Sequence, residues 1–388
     1  MTISNSTGAV GGVVYAADDE GEAVSGLPTP IPVPDLETYL RERRICLSRS
    51  IPRLTNFVMF MRADRRTVHP NYLPIRLDFE NVSRCNFRCT MCKVSEWPKG
   101  QRAADMTLAD FKRLLDEQVG LVEIKIQGLG EPTLQRDDFF EMIQYARARH
   151  IWVRTTTNAS LLHLKDNYRK LVDSGVNEIQ ISIDGADKDT FESIRRGSSF
   201  EQVVENCALI NGYCAEKGIE RTKMWTVVQK ANRHQLPDLV DLAARTGFSS
   251  MAFSLNLVDF GIADWRTRNE QVTVMADFTM REARELLRRG ENLGVKVAFW
   301  SVTSKYHSRS PAGLCPWPFE RAYVGSDLRV SPCCVIGDPD VSDMGSAVNG
   351  FASVWRGEAL NEFRKAHLSG TIPLVCQSCY ESDYGGSA

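Results

Sequence analysis

Three cysteines lie close together on one short stretch of the chain, Cys85, Cys89 and Cys92, with the spacing C-x3-C-x2-C. Three thiolates on one loop can bind three irons of a cubane [4Fe–4S] cluster. Such clusters normally take four cysteines, so a set of three leaves one iron open to a further ligand. The alternatives are a partial zinc site or buried apolar thiols. The spacing favours the cluster.

A second group of interest is the sequence Gln127-Gly-Leu-Gly-Glu-Pro132, which follows the second predicted strand. Its glycines allow the backbone to come close to a ligand, and Pro132 favours an extended conformation at Glu131. The Glu131 carboxylate can accept a charge-assisted hydrogen bond from an ammonium group. Taken alone, such a sequence is typical of an ordinary turn. Its position after the cysteine loop makes Gly130, Glu131 and Pro132 candidate ligand-binding residues.

The C-terminal third contains a second set of cysteines, Cys315, Cys333, Cys376 and Cys379. Four thiolates can close a metal site, and both zinc and a [4Fe–4S] cluster fit this ligand type. Cys334 stands next to Cys333, and the spacing favours Cys333 as the ligand. Cys334 is then a spare thiol, either inert or a catalytic hydrogen-atom donor.

The first cysteine loop resembles that of the radical S-adenosylmethionine (radical SAM) superfamily, although Met91 stands where the family usually has an aromatic residue. Gly130 and Glu131 resemble the family's Gly-Gly-Glu motif, with Leu129 in place of its first glycine. The resemblance implies that the open iron binds SAM and that Glu131 holds the SAM amino group. It also implies that a 5′-deoxyadenosyl radical removes a hydrogen atom from the substrate.

The resemblance extends to further cofactor-binding candidates. Ser182, at the end of the fourth predicted strand, matches a family serine that contacts SAM. Arg195 or Arg196 matches an arginine that binds the SAM carboxylate, for which a bidentate guanidinium is well suited. The alternatives are a strand-end hydroxyl and two solvated arginines. Asn158 closes the third predicted strand and is a candidate for the SAM ribose, although asparagine is also common at strand ends.

The spacing of the second cysteine set, C-x17-C-x42-C-x2-C, resembles the twitch domain, a shortened form of the SPASM domain. That domain carries one auxiliary [4Fe–4S] cluster. The two resemblances together imply two [4Fe–4S] clusters and SAM as cofactors.

The composition excludes several classes of protein. The 388 residues include 47 basic and 49 acidic side chains, so the overall charge gives no case for nucleic-acid binding. No apolar run reaches the roughly 18 residues of a membrane span, so no membrane interaction is expected. Eleven cysteines without a signal-like segment favour metal or redox chemistry over disulfides, and predict a cytoplasmic protein.

Apolar, β-branched runs alternate with helical patterns from residue 75 onward. The predicted strands cover residues 75–79, 121–126, 151–156, 178–183, 223–228 and 250–255. This alternation predicts an α/β fold with a parallel sheet, open or closed. The resemblance implies a partial (β/α)6 barrel with a C-terminal twitch (shortened SPASM) cluster-binding domain. The predicted segments are a flexible leader (1–34), an N-terminal helical extension (35–74), the radical SAM partial barrel (75–305) and the auxiliary cluster domain (306–388).

The expected activity follows from the auxiliary cluster. A cluster with four protein ligands transfers electrons, which favours an oxidoreductase. The resemblance to enzymes with twitch domains implies the dehydrogenation of a small carbohydrate or aminocyclitol, as in antibiotic biosynthesis. A flavodoxin or ferredoxin would supply electrons. One alternative is an epimerase with Cys334 as hydrogen donor. Another is a maturase of a ribosomal peptide, against which the lack of a convincing strand set in residues 1–74 weighs. A zinc-bearing module without catalysis is disfavoured by the intact cysteine loop and Glu131.

Overall fold

A computed structural model of the chain describes residues 26–301 and 305–381. The predicted leader lies outside the described residues up to position 25. The strands are β1 (Arg76–Phe79), β2 (Arg88–Cys89), β3 (Glu123–Ile126), β4 (Trp152–Thr157), β5 (Glu178–Ser182), β6 (Arg195–Arg196), β7 (Thr222–Val227), β8 (Ser250–Ser254), β9 (Lys296–Trp300), β10 (Arg321–Val324) and β11 (Val330–Ser331).

The helices fill the connections between the strands. They are α1 (Leu36–Ser48), α2 (Ile51–Ala63), α3 (Leu108–Glu117), α4 (Asp137–Arg147), α5 (Asn167–Asp173), α6 (Lys188–Ile194), α7 (Phe200–Glu216), α8 (Leu236–Arg245), α9 (Ala263–Val272), α10 (Met280–Leu293), α11 (Trp317–Glu320), α12 (Phe351–Trp355) and α13 (Glu358–Leu368). Several begin at side-chain caps: Thr107 accepts a hydrogen bond from the Asp110 N–H at α3, and Thr279 forms a capping box with Glu282 at α10. No helix in the described part of the chain is long and apolar enough to cross a bilayer.

The main sheet has the strand order β11-β10-β1-β3-β4-β5-β7-β8-β9. Neighbouring strands are parallel throughout, apart from the antiparallel pair β10–β11. The predicted parallel α/β sheet is therefore confirmed, and within the described residues it forms a barrel that is not closed. The sheet also contains a strand pair from the C-terminal segment, because β10 lies beside β1.

The two faces of the sheet differ in character because side chains alternate along each strand. Apolar side chains such as Leu77, Ile124 and Ile179 belong to the buried core that the helices cover. The opposite face carries charged residues that pair across neighbouring strands. Arg154 Nη1 lies 3.3 Å from Glu123 Oε1, and Arg154 Nη2 lies 3.2 Å from Glu178 Oε1. The inside of the partial barrel is therefore polar.

The segment before α1 and α1 itself cross the amino-terminal end of the barrel. The Pro28 carbonyl accepts a hydrogen bond from the Phe299 N–H at 2.8 Å. The Val33 N–H donates to Glu178 at 3.1 Å, and the Tyr39 hydroxyl donates to Glu123 at 2.9 Å. Pro28 therefore lies beside the edge strand β9, near the carboxyl end of that strand, whereas Val33 and Tyr39 contact the first residues of β5 and β3. Residues 33–39 cover the amino-terminal end of the barrel.

Candidate functional site

The first cysteine loop follows β1 and is held by hydrogen bonds within the loop. The Cys92 N–H donates to the Cys89 carbonyl at 3.2 Å, and the Ser95 hydroxyl donates to the same carbonyl at 2.7 Å. Cys89 also pairs with Arg195 in the short antiparallel ladder of β2 and β6. Local sequence and one distant ladder therefore place Cys85, Cys89 and Cys92 together.

The environment of these thiols fits a cluster. Burial raises the pKa of all three thiols, that of Cys92 to about 12. At Cys89 the nearby Arg195 guanidinium opposes this increase. A bound cation overcomes such a desolvation penalty by stabilising the thiolate. No three Cys, His, Asp or Glu side chains in the described ranges converge as ligands of a single metal ion do. A cubane cluster takes one thiolate on each iron, so its ligands do not share one central ion.

The loop after β3 lies directly against the start of the cysteine loop. A Cβ added to Gly130 would sit 2.4 Å from the carbonyl oxygens of Val82 and Arg84, so only glycine fits. The Glu131 N–H donates to the Arg84 carbonyl at 2.9 Å. Pro132 begins the short turn that follows. This contact fixes Glu131 next to Cys85.

The Glu131 carboxylate is buried, with 2% of the residue exposed, and is held by neutral donors. It accepts hydrogen bonds from the Thr133 hydroxyl at 2.6 Å, the Thr157 hydroxyl at 2.7 Å and the Asn158 N–H at 2.7 Å. Burial raises its pKa, and these hydrogen bonds act in the opposite direction. A buried carboxylate with neutral partners is suited to an incoming ammonium group. The two threonines were not identified from the sequence, where Thr157 is one of three consecutive threonines.

The other predicted SAM-binding residues lie at different distances from the cysteine loop. The Asn158 amide Nδ2 lies 3.9 Å from the Cys85 sulfur, and Ser182 ends β5, half-buried. Arg195 forms a buried ion pair with Asp184 at 2.6 Å, and its charge also acts on Cys89 and Cys85. Arg196 is exposed. Arg195 therefore supplies positive charge to the cysteine loop, while Arg196 has an accessible guanidinium.

The second cysteine set is assembled from separate segments. Cys315, Cys376 and Cys379 pack against a small apolar cluster that consists of Leu314, Phe319 and Tyr380. The Cys315 N–H donates to the Tyr380 hydroxyl at 2.9 Å, which joins the first segment to the last. Cys379 accepts hydrogen bonds at its carbonyl from the N–H groups of residues 305 and 306.

The adjacent pair Cys333 and Cys334 is divided between two environments. Burial raises the pKa of Cys333, and the charges acting on this thiol include those of Cys334, Cys376 and Cys315. The main charges acting on Cys334 are Asp78 and Lys125, on the polar face of β1 and β3. Cys334 is solvent-exposed. This arrangement favours Cys333 as a ligand and places the Cys334 thiol at the inside of the barrel.

The polar face beneath Cys334 contains residues that the sequence did not single out. Lys125 donates from Nζ to the Gln180 side-chain oxygen at 3.2 Å, and Thr156 donates to the same oxygen at 3.0 Å. Burial raises the pKa of Asp78 and lowers that of Lys125. The alternation of apolar and polar residues along β1 and β3 was the available signal for these inward side chains.

Comparisons with known proteins match both halves of the chain. A family model described as the radical SAM superfamily matches residues 82–243, and the SPASM model, an iron–sulfur cluster-binding domain, matches residues 315–380. The mycofactocin maturase MftC of Mycobacterium tuberculosis is 29% identical over 326 residues, which is 81% of this chain and 78% of that protein. The PqqA peptide cyclase of Rhodopseudomonas palustris is 24% identical over 340 residues, 81% of this chain and 82% of that protein.

A solved structure shows the same fold. Streptococcus suis SuiB bound to the precursor peptide SuiA superposes with a TM-score of 0.57 at 17% sequence identity, covering 75% of this chain and 66% of that chain.

The comparisons overturn the predicted substrate. The prediction that the enzyme mainly oxidises a carbohydrate or aminocyclitol was wrong. The relatives that match most of the chain include a maturase and a peptide cyclase. The error has a physical origin, because the cysteine loops and Glu131 are predicted cofactor ligands, and such residues carry no information on the substrate. The lack of a convincing strand set in residues 1–74 was given too much weight against a peptide maturase, because these relatives favour that alternative.

Proposed function

Because the chain belongs to the radical SAM superfamily and ends in an SPASM-type cluster-binding domain, we propose that it is a maturase that modifies a peptide precursor. The observation that carries this proposal is the extent of the similarity to MftC and the PqqA peptide cyclase. Each match covers 81% of the chain, which is about twice the length of residues 82–243 that the radical SAM model matches. A similarity confined to the barrel would support only the shared SAM chemistry.

The cofactor sites of this proposal are the two described above. When bound, the [4Fe–4S] cluster and SAM supply a 5′-deoxyadenosyl radical that removes a hydrogen atom from the substrate. Cys85, Cys89 and Cys92 would hold the cluster, and Glu131 would accept hydrogen bonds from the SAM ammonium. Thr133 and Thr157 orient that carboxylate, so the site is formed before SAM binds.

The C-terminal cysteines would hold an auxiliary cluster through Cys315, Cys333, Cys376 and Cys379. Such a site has no open position for the substrate, so its ligands leave the cluster to carry electrons. Cys334 is exposed beside Lys125 and is the candidate for direct contact with the peptide. If it donates a hydrogen atom, Cys334→Ala should remove solvent-derived deuterium from the product. Free thiols and reduced clusters require a reducing compartment, for which we propose the cytoplasm.

Co-expression provides the test of the peptide substrate. The chain is produced with each short open reading frame that flanks its gene, and the peptides are analysed by mass spectrometry. We expect one peptide to change in mass with the intact enzyme and to stay unchanged with the Cys85→Ala/Cys89→Ala/Cys92→Ala variant. Conversion of a small metabolite, with all peptides unaltered, would contradict the proposal.

A further inference from the structure

A buried ion pair joins the first cysteine loop to the loop that carries Cys333 and Cys334. Lys93 directly follows Cys92, and its Nζ lies 2.6 Å from Asp338 Oδ2. The two side chains are only 12% and 2% exposed. Most exposed ion pairs contribute little, but a buried charge that loses its partner is strongly destabilised. The ion pair therefore stabilises the arrangement in which the two loops are in contact.

Lys93 and Asp338 each belong to a turn that is hydrogen-bonded to a cysteine carbonyl of the same loop. Lys93 begins the short turn 93–96, and Ser95 in that turn donates to the Cys89 carbonyl at 2.7 Å. On the other side, the Gly337 N–H donates to the Cys333 carbonyl at 3.0 Å. Asp338 accepts a further hydrogen bond from the Asp340 N–H at 2.9 Å. Because of these hydrogen bonds, the ion pair of Lys93 and Asp338 couples the positions of the two cysteine-bearing loops.

The loop that carries Cys333 and Cys334 also contacts the loop that holds Glu131. Gly337 has φ of +59°, and its Cβ position lies 3.5 Å from Leu129 Cδ2. Leu129 is the residue that departs from the Gly-Gly-Glu motif, and its side chain lies beside this turn. The segment from Cys333 to Asp338 thus contacts the predicted SAM site at Leu129 and the first cysteine loop at Lys93. Cys334 precedes both contacts in the same segment, and Asp78 and Lys125 are the main charges acting on it.

We propose that Lys93 and Asp338 are positioning residues that hold the segment 333–338 over the carboxyl end of the barrel and thereby fix the Cys334 thiol at the site. The proposal concerns the site of the proposed function, but its test needs no peptide substrate. Failure of one is therefore distinguishable from failure of the other.

The test measures how firmly the segment 333–338 is held in the anaerobically reconstituted full chain. Hydrogen exchange in residues 331–341, which include the Gly337 N–H that donates to the Cys333 carbonyl, is followed by mass spectrometry. We expect Lys93→Met and Asp338→Asn each to raise the exchange rate of this segment about tenfold, because the uncompensated charge favours local opening. Lys93→Arg keeps the charge and should restore slow exchange.

The matched control is Lys112→Met, which removes an exposed ion pair of the same 2.6 Å length with Glu141. It should leave exchange in residues 331–341 at the wild-type rate. Should the single variants not fold, Lys93→Ala/Asp338→Ala removes both charges without supplying an apolar contact in their place, and faster exchange of residues 331–341 in that folded variant supports the proposal. Wild-type exchange of this segment in any of these folded variants that lack the pair would overturn it, as would a uniform rise of exchange over the whole chain.

Discussion

The two cysteine sets are assembled in different ways. Cys85, Cys89 and Cys92 lie within eight positions on one loop, which its own hydrogen bonds hold in place. The C-terminal set spans residues 315–379 and depends on contacts such as the one between Cys315 and Tyr380. One set is thus defined by local sequence and the other by tertiary structure. Replacing cysteines by alanine should therefore affect mainly catalysis in the first region. In the second region it should affect both catalysis and folding.

The largest effect is expected from Cys85→Ala/Cys89→Ala/Cys92→Ala. This variant should form no 5′-deoxyadenosine and lose about half of the iron, while its unfolding temperature stays close to that of the wild type. Iron analysis, chromatography of the SAM products and circular dichroism measure the three quantities. Cys214→Ala removes a buried thiol outside both sets and serves as the control. Continued 5′-deoxyadenosine formation by the triple variant would refute the assignment.

The counterpart in the second region is Cys376→Ala/Cys379→Ala. It should also lose about half of the iron but continue to cleave SAM, and its unfolding temperature should fall because metal binding is coupled to folding there. The same three measurements apply. If this variant is as thermally stable as the wild type, the proposed difference between the two sets is wrong.

An intermediate effect is expected from Glu131→Gln, which keeps the shape of the side chain and removes its charge. A hydrogen bond to a charged group contributes about 1.5–3 kcal/mol, so SAM should bind on the order of 10- to 100-fold more weakly with iron content unchanged. Isothermal titration under anaerobic conditions measures the affinity. Glu141→Gln, at a half-exposed ion pair, is the control. Equal SAM affinity in Glu131→Gln and wild type would exclude this role.

The smallest effect concerns pH and the second region. Burial lowers the pKa of His367 from its ordinary value of 6.5, and the Phe363 carbonyl, 2.8 Å from Nδ1, opposes this. A lowered pKa means that the unfolded chain binds the proton more readily. This contribution to stability is complete above pH 6.5 and is lost as the pH falls towards the folded-state value.

Thermal unfolding between pH 5 and 8 tests this dependence. His367→Gln should show a shallower loss of stability on acidification than the wild type, and the exposed His69→Gln should behave as the wild type. An identical pH dependence in all three proteins would show that His367 does not contribute.

The extent to which the site could be predicted follows the same division. The cysteine loop, Gly130 and Glu131 could be proposed as site residues from short motifs of neighbouring residues, and the structure brings the loop and Glu131 together. The parallel sheet followed from the regular alternation of strands and helices. The contact of Leu129 with Gly337 and the ion pair of Lys93 with Asp338 were not predictable, since more than 200 positions separate the partners. No pattern in one sequence indicates which distant charge a buried lysine meets.

The segment 33–39 has a consequence for the order of events in the reaction. Because it lies across the amino-terminal end of the barrel, we expect ligands of the polar interior to enter and leave at the opposite end, beneath residues 333–338. A deep ligand and a shallow one that share one passage must enter in sequence and leave in reverse. SAM, if it lies nearest Glu131, should then bind before the peptide, and the modified peptide should be released before the spent nucleoside.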